Sequence, residues 1–193
     1  MSSNFFAMLS RMKYINRWAL MRNTHKENLS EHSLEVAMIA HALATIRNRK
    51  FGGNINAERV ALMAIYHDVP EILTGDMPTP VKYFNDDVKA AYDKVEIAAC
   101  ERLLELLPDY LRDDYKDLFF HSDEDKQLWA FVKAADKISA LIKCIEEQKA
   151  GNSDFSTAAQ STENLIHSLN MPEAEVFLED FIEGYSLTLD QLK

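Results

Sequence analysis

The chain has 193 residues, a formal net charge of −10, and 47% hydrophobic and 27% charged residues. That length supports one well-buried core and argues against two domains, and the composition excludes a disordered chain or a fibrous repeat. The acidic balance excludes a surface built to hold a nucleic-acid polymer, which needs a basic face to displace counterions, but leaves room for a small anionic substrate in a local basic pocket.

With only 5 Gly and 5 Pro there are few breaks for turns, so the expected fold is all-α, a single-domain helical bundle over residues 1–193. Phe5, Met8, Leu9, Met12, Ile15 and also Trp18 recur at helical intervals and predict a first amphipathic helix. The opening residues reach Arg11, Lys13 and Arg17 without an apolar run, so no signal peptide is expected. From Asn16 to Leu29 the sequence is polar and reads as a loop. Asn28, with Glu31 in capping-box position, or Ser30 caps a second helix that runs to about Arg49 and stops at Gly52-Gly53, placing His32 in its first turn. Its stretch Val36–Ile46 is too short to span a bilayer.

Asn54 or Asn56 caps a third helix whose segment Val60–Tyr66 is apolar on every face and is expected in the middle of the core. His67 and Asp68 lie at its end. Pro70 disfavours helical geometry at Val69, so a break is expected between Asp68 and Glu71 that re-aims neighbouring side chains. Gly75 closes Pro70–Thr74, and Asp76-Met77-Pro78-Thr79-Pro80 is expected to be a rigid loop. A long helix follows from Asn85 to Leu106, a shorter one over Tyr110–Phe120, and another from about Asp123 to Lys149, stopped by Gly151 and burying Leu128, Phe131, Val132, Ala135, Ile138, Leu141, Ile142 and Ile145. Helices near Ser156–Ser168 and Glu173–Leu187 complete the chain, with no convincing strand. Cys100 and Cys144 lack C-x-x-C spacing and read as reduced structural thiols of a soluble cytoplasmic protein.

His67-Asp68, with His32 and Asp136 on other helices, offers two imidazoles and two carboxylates, an N/O set suited to a divalent metal, and Glu71 is near enough to handle protons. Asp136 lies in Val132–Ile138, where an unpartnered buried carboxylate would cost several kcal/mol; a salt bridge to Lys133 or Lys137 is the alternative to ligation. His41, His121 and His167 have no carboxylate companion at useful spacing and read as solvated or hydrogen-bonded residues.

In the order His32, His67-Asp68, Asp136 the chain resembles the H…HD…D signature of the HD-domain metal-dependent phosphohydrolases. With Ile15-Asn16-Arg17-Trp18, Ser30-Glu31-His32-Ser33, the run His67–Phe84 and Lys133-Ala134-Ala135-Asp136, it more closely resembles the bacterial YfbR-type 5′-deoxynucleotidases. The resemblance implies hydrolysis of 2′-deoxyribonucleoside 5′-monophosphates, with the site drawn mainly from residues 15–85 and 133–137. It implies one divalent ion per subunit on His32, His67, Asp68 and Asp136, with Co²⁺ or Mn²⁺ expected and Zn²⁺, Fe²⁺ or Mg²⁺ open, and Glu71 as catalytic acid/base. Arg17, whose planar fork suits phosphate oxygens, would orient the phosphate. Trp18 would wall the nucleoside, its alternative being an anchor for the first helix. Asp76 would read the 3′-hydroxyl and leave no room for a ribose 2′-hydroxyl, with Met77, Pro78 and Thr79 shaping that pocket and His32, Asp68 and Asp136 also meeting the substrate. A homodimer is implied, the helices after Tyr83 having apolar residues to spare. Two alternatives stand beside this: a relative acting on ribonucleotides or on di- and triphosphates, and a non-catalytic nucleotide- and metal-binding module.

Overall fold

In the computed structural model, residues 2–122 and 125–192 are described. Local signals set most of the helix boundaries. Asn28 caps α2 (Leu29–Lys50) through a full capping box, Asn56 caps α3 (Ala57–Tyr66) by accepting from Arg59 N–H, and Asn85 accepts from Val88 N–H to open α6 (Asp86–Glu105). These asparagine oxygens satisfy amide groups that the first helical turn leaves without partners. Gly151 ends α8 (Lys126–Lys149) at φ 84°, a left-handed conformation that disfavours a side chain. Asp123, where that helix was expected to begin, lies outside the described residues. The shorter helices are α1 (Phe5–Leu9), α4 (Glu71–Thr74), α5 (Thr79–Lys82), α7 (Asp109–Phe120), α9 (Ser156–Ser168) and α10 (Pro172–Phe181).

Four expectations are corrected. The first helix tightens into a 3-10 turn over Ser10–Tyr14 and ends there, so Trp18 is not on it. The Asp76–Pro80 stretch is not loop throughout: Thr79–Lys82 is a helical turn, because proline's fixed φ suits the start of a helix. The final helix gives way after Phe181 to a 3-10 turn, Ile182–Ser186, where Gly184 and Ser186 are weak helix formers. In α3, Val60, Met63 and Ala64 are buried, yet Leu62 and Ile65 stay 40% and 43% exposed, since the helix packs on α2 and α8 by one side only.

Among the described residues no strand forms; an isolated antiparallel bridge, Asn16 with Asn28, closes the loop ahead of α2. The core lies where α2, α3 and α8 pack together, with Leu29, Val36, Leu43, Val60, Met63, Ile138 and Ile142 at its centre. Burying such side chains contributes roughly 1.5–3 kcal/mol each. This packing brings the start of α2, the end of α3 and the middle of α8 to one corner.

Candidate metal centre

α3 ends at Tyr66, and residues 67–70 form a tight turn held by Val69 N–H to the Tyr66 carbonyl at 3.2 Å and Glu71 N–H to the Asp68 carbonyl at 3.0 Å. This is the break that Pro70 predicted. It swings Asp68 beneath His67 so that Asp68 Oδ2 stands 3.2 Å from His67 Nε2 and 3.4 Å from His32 Nε2. One ligating atom each from His32, His67 and Asp68 falls within 4.8 Å of the others. Asp136 approaches from α8, its Oδ1 3.2 Å from His32 Nε2 and its Oδ2 2.8 Å from Lys137 Nζ. Asp136 thus turns one oxygen to the corner and the other to Lys137.

Whether this donor set fits a cation is decided by the ring nitrogens. His32 Nε2 and His67 Nε2 are fully buried, and although carboxylate oxygens stand 3.2–3.4 Å away neither nitrogen makes a directed hydrogen bond, a costly condition for a polar atom. His67 Nδ1 lies 2.7 Å from the Ala64 carbonyl, which only accepts, so Nδ1 carries the proton and the Nε2 lone pair faces the corner. The inward His67 lone pair and His32 Nε2, beside Asp68 and Asp136, make a donor set that fits a divalent ion.

Arg17 closes the open side, with Nη1 3.2 Å from Asp68 Oδ2 and Nη2 3.9 Å from Asp136 Oδ1. Burial works against its charge, but Asp68, Asp136, Glu27 and Asp76 more than restore it and lift its pKa above the ordinary arginine value. Burial also opposes the carboxylates; His67 and His32 nevertheless hold Asp68, and His32, Lys137 and Arg17 hold Asp136, below the usual carboxylate range. Burial and Arg17 push His32 down while Asp136, Asp68 and Glu27 outweigh them and carry it up to about 10. The corner is thus short of positive charge, a deficit that a divalent cation would meet. Glu71 differs: burial, with Asp68 and Asp76 adding like charge, pushes its pKa up to about 9, and its Oε2 is buried without a partner.

Asp76 follows Gly75, whose φ of 74° makes the turn out of α4, and its Oδ2 accepts from Trp18 N–H at 3.1 Å. Trp18 itself sits at φ 60°, a strained setting for an aromatic residue. Its ring packs on Phe155 with centroids 5.3 Å apart, and its indole N–H donates to Glu27. Met77 and Pro78 are half-buried and Thr79 is exposed at the start of α5; no hydrogen bond among the described residues ties their side chains to the corner. His41 is exposed, His121 stacks on Trp129, and His167 does find a carboxylate, Glu175, at 2.9 Å across the turn between α9 and α10.

Glu27 escaped the sequence reading. Its Oε2 accepts from Arg17 Nε at 3.2 Å and from Trp18 Nε1 at 3.0 Å, so one oxygen orients both side chains. The available signal was register: Asn16 pairs with Asn28, and Arg17 N–H donates to the Glu27 carbonyl at 3.0 Å, which sets an arginine opposite a glutamate.

This fold is shared with solved HD-domain phosphohydrolases. An HD-domain phosphohydrolase from Listeria innocua superposes with a TM-score of 0.81 at 21% identity, covering 94% of this chain and 88% of that one. The HD phosphohydrolase of cyanophage S-2L, solved with dA and one catalytic Zn²⁺ ion, gives a TM-score of 0.67 at 16% identity over 92% and 96% of the two chains. Within that class, the profile described as 5′-deoxynucleotidase YfbR-like matches residues 4–185. The 5′-deoxynucleotidase YfbR of Escherichia coli is 51% identical over 98% of this chain and 96% of its own, and a 5′-deoxynucleotidase of Photorhabdus laumondii is 49% identical over the same shares. The chain belongs to the YfbR-like 5′-deoxynucleotidase family.

Proposed function

We propose that the protein is a metal-dependent phosphomonoesterase that hydrolyses 2′-deoxyribonucleoside 5′-monophosphates to deoxynucleosides and phosphate, residues 1–193 acting as one HD-type unit. The observation that carries the reading is the pair of buried, unpartnered nitrogens, His32 Nε2 and His67 Nε2, beside Asp68, Asp136 and Arg17. His32, His67, Asp68 and Asp136 hold one divalent ion, Co²⁺ or Mn²⁺ by preference with Zn²⁺, Fe²⁺ or Mg²⁺ as alternatives. An ion held there would supply a water of lowered pKa as nucleophile and Lewis-acid stabilisation of the phosphate.

Arg17 binds the phosphate dianion through its guanidinium fork, trading its contacts with Asp68 and Asp136 for phosphate oxygens. Glu71, whose carboxyl is pushed toward its protonated form by burial and by Asp68 and Asp76, delivers a proton to the 5′-oxygen of the departing nucleoside. Asp76 has one oxygen occupied by Trp18 N–H, and the other accepts from the 3′-hydroxyl while crowding C2′. Trp18, with Met77, Pro78 and Thr79, walls the nucleoside.

The protein acts on a small molecule in the cytoplasm rather than on a polymer or membrane. The net charge of −10 supports this. So does the observation that, among the described residues, no helix is long and apolar enough to cross a membrane. A homodimer is proposed as well, supported by apolar residues exposed after Tyr83, among them Val95, Ile97 and Phe181, and by Leu34, Met38, Leu62 and Ile65 on α2 and α3.

Phosphate release from dAMP, TMP and AMP, measured on metal-stripped protein and again after adding each ion, tests the reading. The deoxynucleotides are turned over only with metal and AMP is not; equal turnover of AMP, or turnover without metal, overturns it.

A further inference from the structure

His32 faces two carboxylates through Nε2, and this creates a difficulty that the ligand set alone does not solve. To bind a cation His32 must be neutral, and with Asp68 Oδ2 at 3.4 Å and Asp136 Oδ1 at 3.2 Å from Nε2 its one remaining proton would be drawn to that nitrogen, where it blocks the ion. The opposite side of the ring supplies the remedy. His32 Nδ1 lies 3.1 Å from Ser139 Oγ, and that hydroxyl donates to Glu35 Oε2 at 2.5 Å. Ser139 has one proton. Having given it to Glu35, it can only accept from His32, so Nδ1 must carry the hydrogen and Nε2 presents its lone pair inward. His32 and Ser139 are buried, at 1% and 0% exposure, so water does not compete for the link. The other oxygen near Nδ1, Glu27 Oε1, stands at 3.7 Å, beyond hydrogen-bond distance.

We propose that Ser139 and Glu35 form a proton-fixing relay that holds His32 in its metal-binding tautomer and orientation, making both positioning residues of the centre. Each lies three residues beyond a ligand on the same helix face, Glu35 after His32 on α2 and Ser139 after Asp136 on α8, so the contact that assembles the ligands also assembles the relay. The inference rests on the metal-centre reading above.

Co²⁺ binding to stripped protein, followed by calorimetry and by the visible absorption of the bound ion, tests it. Ser139→Ala and Glu35→Ala are expected to weaken affinity by about 10- to 100-fold. Glu35→Gln, whose amide oxygen still accepts from Ser139, stays near the unsubstituted protein. Wild-type affinity in both alanine variants, or a Gln variant as weak as Glu35→Ala, overturns the relay. Should Ser139→Ala fail to fold, Glu35→Ala at its half-buried position decides the outcome. Proton NMR of the metal-free protein reads the His32–Ser139 link separately, as a downfield, slowly exchanging His32 Nδ1–H that Ser139→Ala removes. If the unsubstituted protein binds no Co²⁺, the metal-centre reading falls, and this resonance alone decides the relay, its persistence in Ser139→Ala counting against it.

Discussion

Helix α8 carries two buried carboxylate clusters, and they are built on opposite principles. Glu147 lies three turns beyond Asp136 on the same face. It accepts from Lys143 Nζ, Asn152 Nδ2, the Thr24 hydroxyl and the amides of Thr24 and His25, at distances between 2.5 and 3.1 Å. Both of its oxygens are filled. The corner at Asp136 has more charges and worse geometry: two imidazole nitrogens and one Glu71 oxygen remain buried without partners. A saturated cluster holds the chain in place, here by pinning the 16–28 loop to α8. An unsaturated one stores affinity for something else, and the unpartnered atoms mark where it binds.

The largest expected effect separates the two by chemistry. Glu71→Gln keeps shape and hydrogen-bonding capacity but cannot deliver a proton, so kcat for a deoxynucleotide falls by roughly 10²–10⁴-fold in steady-state assays. Its effect on stability is opposite. Burial raises the Glu71 pKa to about 9 from about 4.3 in the unfolded chain, so the folded state holds the extra proton and metal-free stability declines as pH rises across that window. Denaturant titrations across pH show that decline in the native protein and a flatter curve in the variant.

Glu147→Ala should leave Lys143 buried and uncompensated, at a loss of about 3–5 kcal/mol in the same titrations. Its pH signature is reversed. Burial pushes Glu147 up, but Lys143, Asn152 and Thr24 hold it below the ordinary glutamate value, so its stabilisation is complete above about pH 4.3 and disappears as pH falls below that. A divalent ion then discriminates the clusters. At 100 times its dissociation constant it stabilises the folded state by about 2.7 kcal/mol. Glu147→Ala retains that gain in melting experiments and Asp136→Ala loses it; a gain retained by Asp136→Ala would remove Asp136 from the site.

The convergence of His32, His67, Asp68 and Asp136 on one corner was legible in the sequence because its signals are local or typed: a His-Asp pair before a proline, and asparagine caps on α2, α3 and α6 that fix where each helix starts. The supporting residues were not. Ser139 reads as one small polar residue in an apolar stripe, and only the α2–α8 contact shows it between His32 and Glu35. Glu27 lies in a stretch with no periodicity, and its role depends on a loop closure that no helical pattern encodes. Leu62 and Ile65 misled in the other direction, since hydrophobicity tells that a face avoids water but not whether this chain or another copy covers it.

Glu27 tests how far the two clusters are independent, with the smallest effect of the set. It belongs to the corner by its bonds to Arg17 and Trp18, yet it sits on the loop that Glu147 anchors three residues earlier at Thr24. Glu27→Gln exchanges charged hydrogen bonds, worth about 1.5–3 kcal/mol, for neutral ones, and leaves the ligands and Glu71 in place. Arg17 and Trp18 then spend less time aimed at substrate, so KM should rise and kcat/KM fall by roughly 10- to 100-fold while kcat holds. If Glu147→Ala, assayed where it is still folded, raises KM as well, and the double variant is no worse than Glu27→Gln alone, both act through one loop position and the saturated cluster is part of the substrate site. Additive effects would confine Glu147 to stability and leave Glu27 to orient Arg17 and Trp18 independently of it.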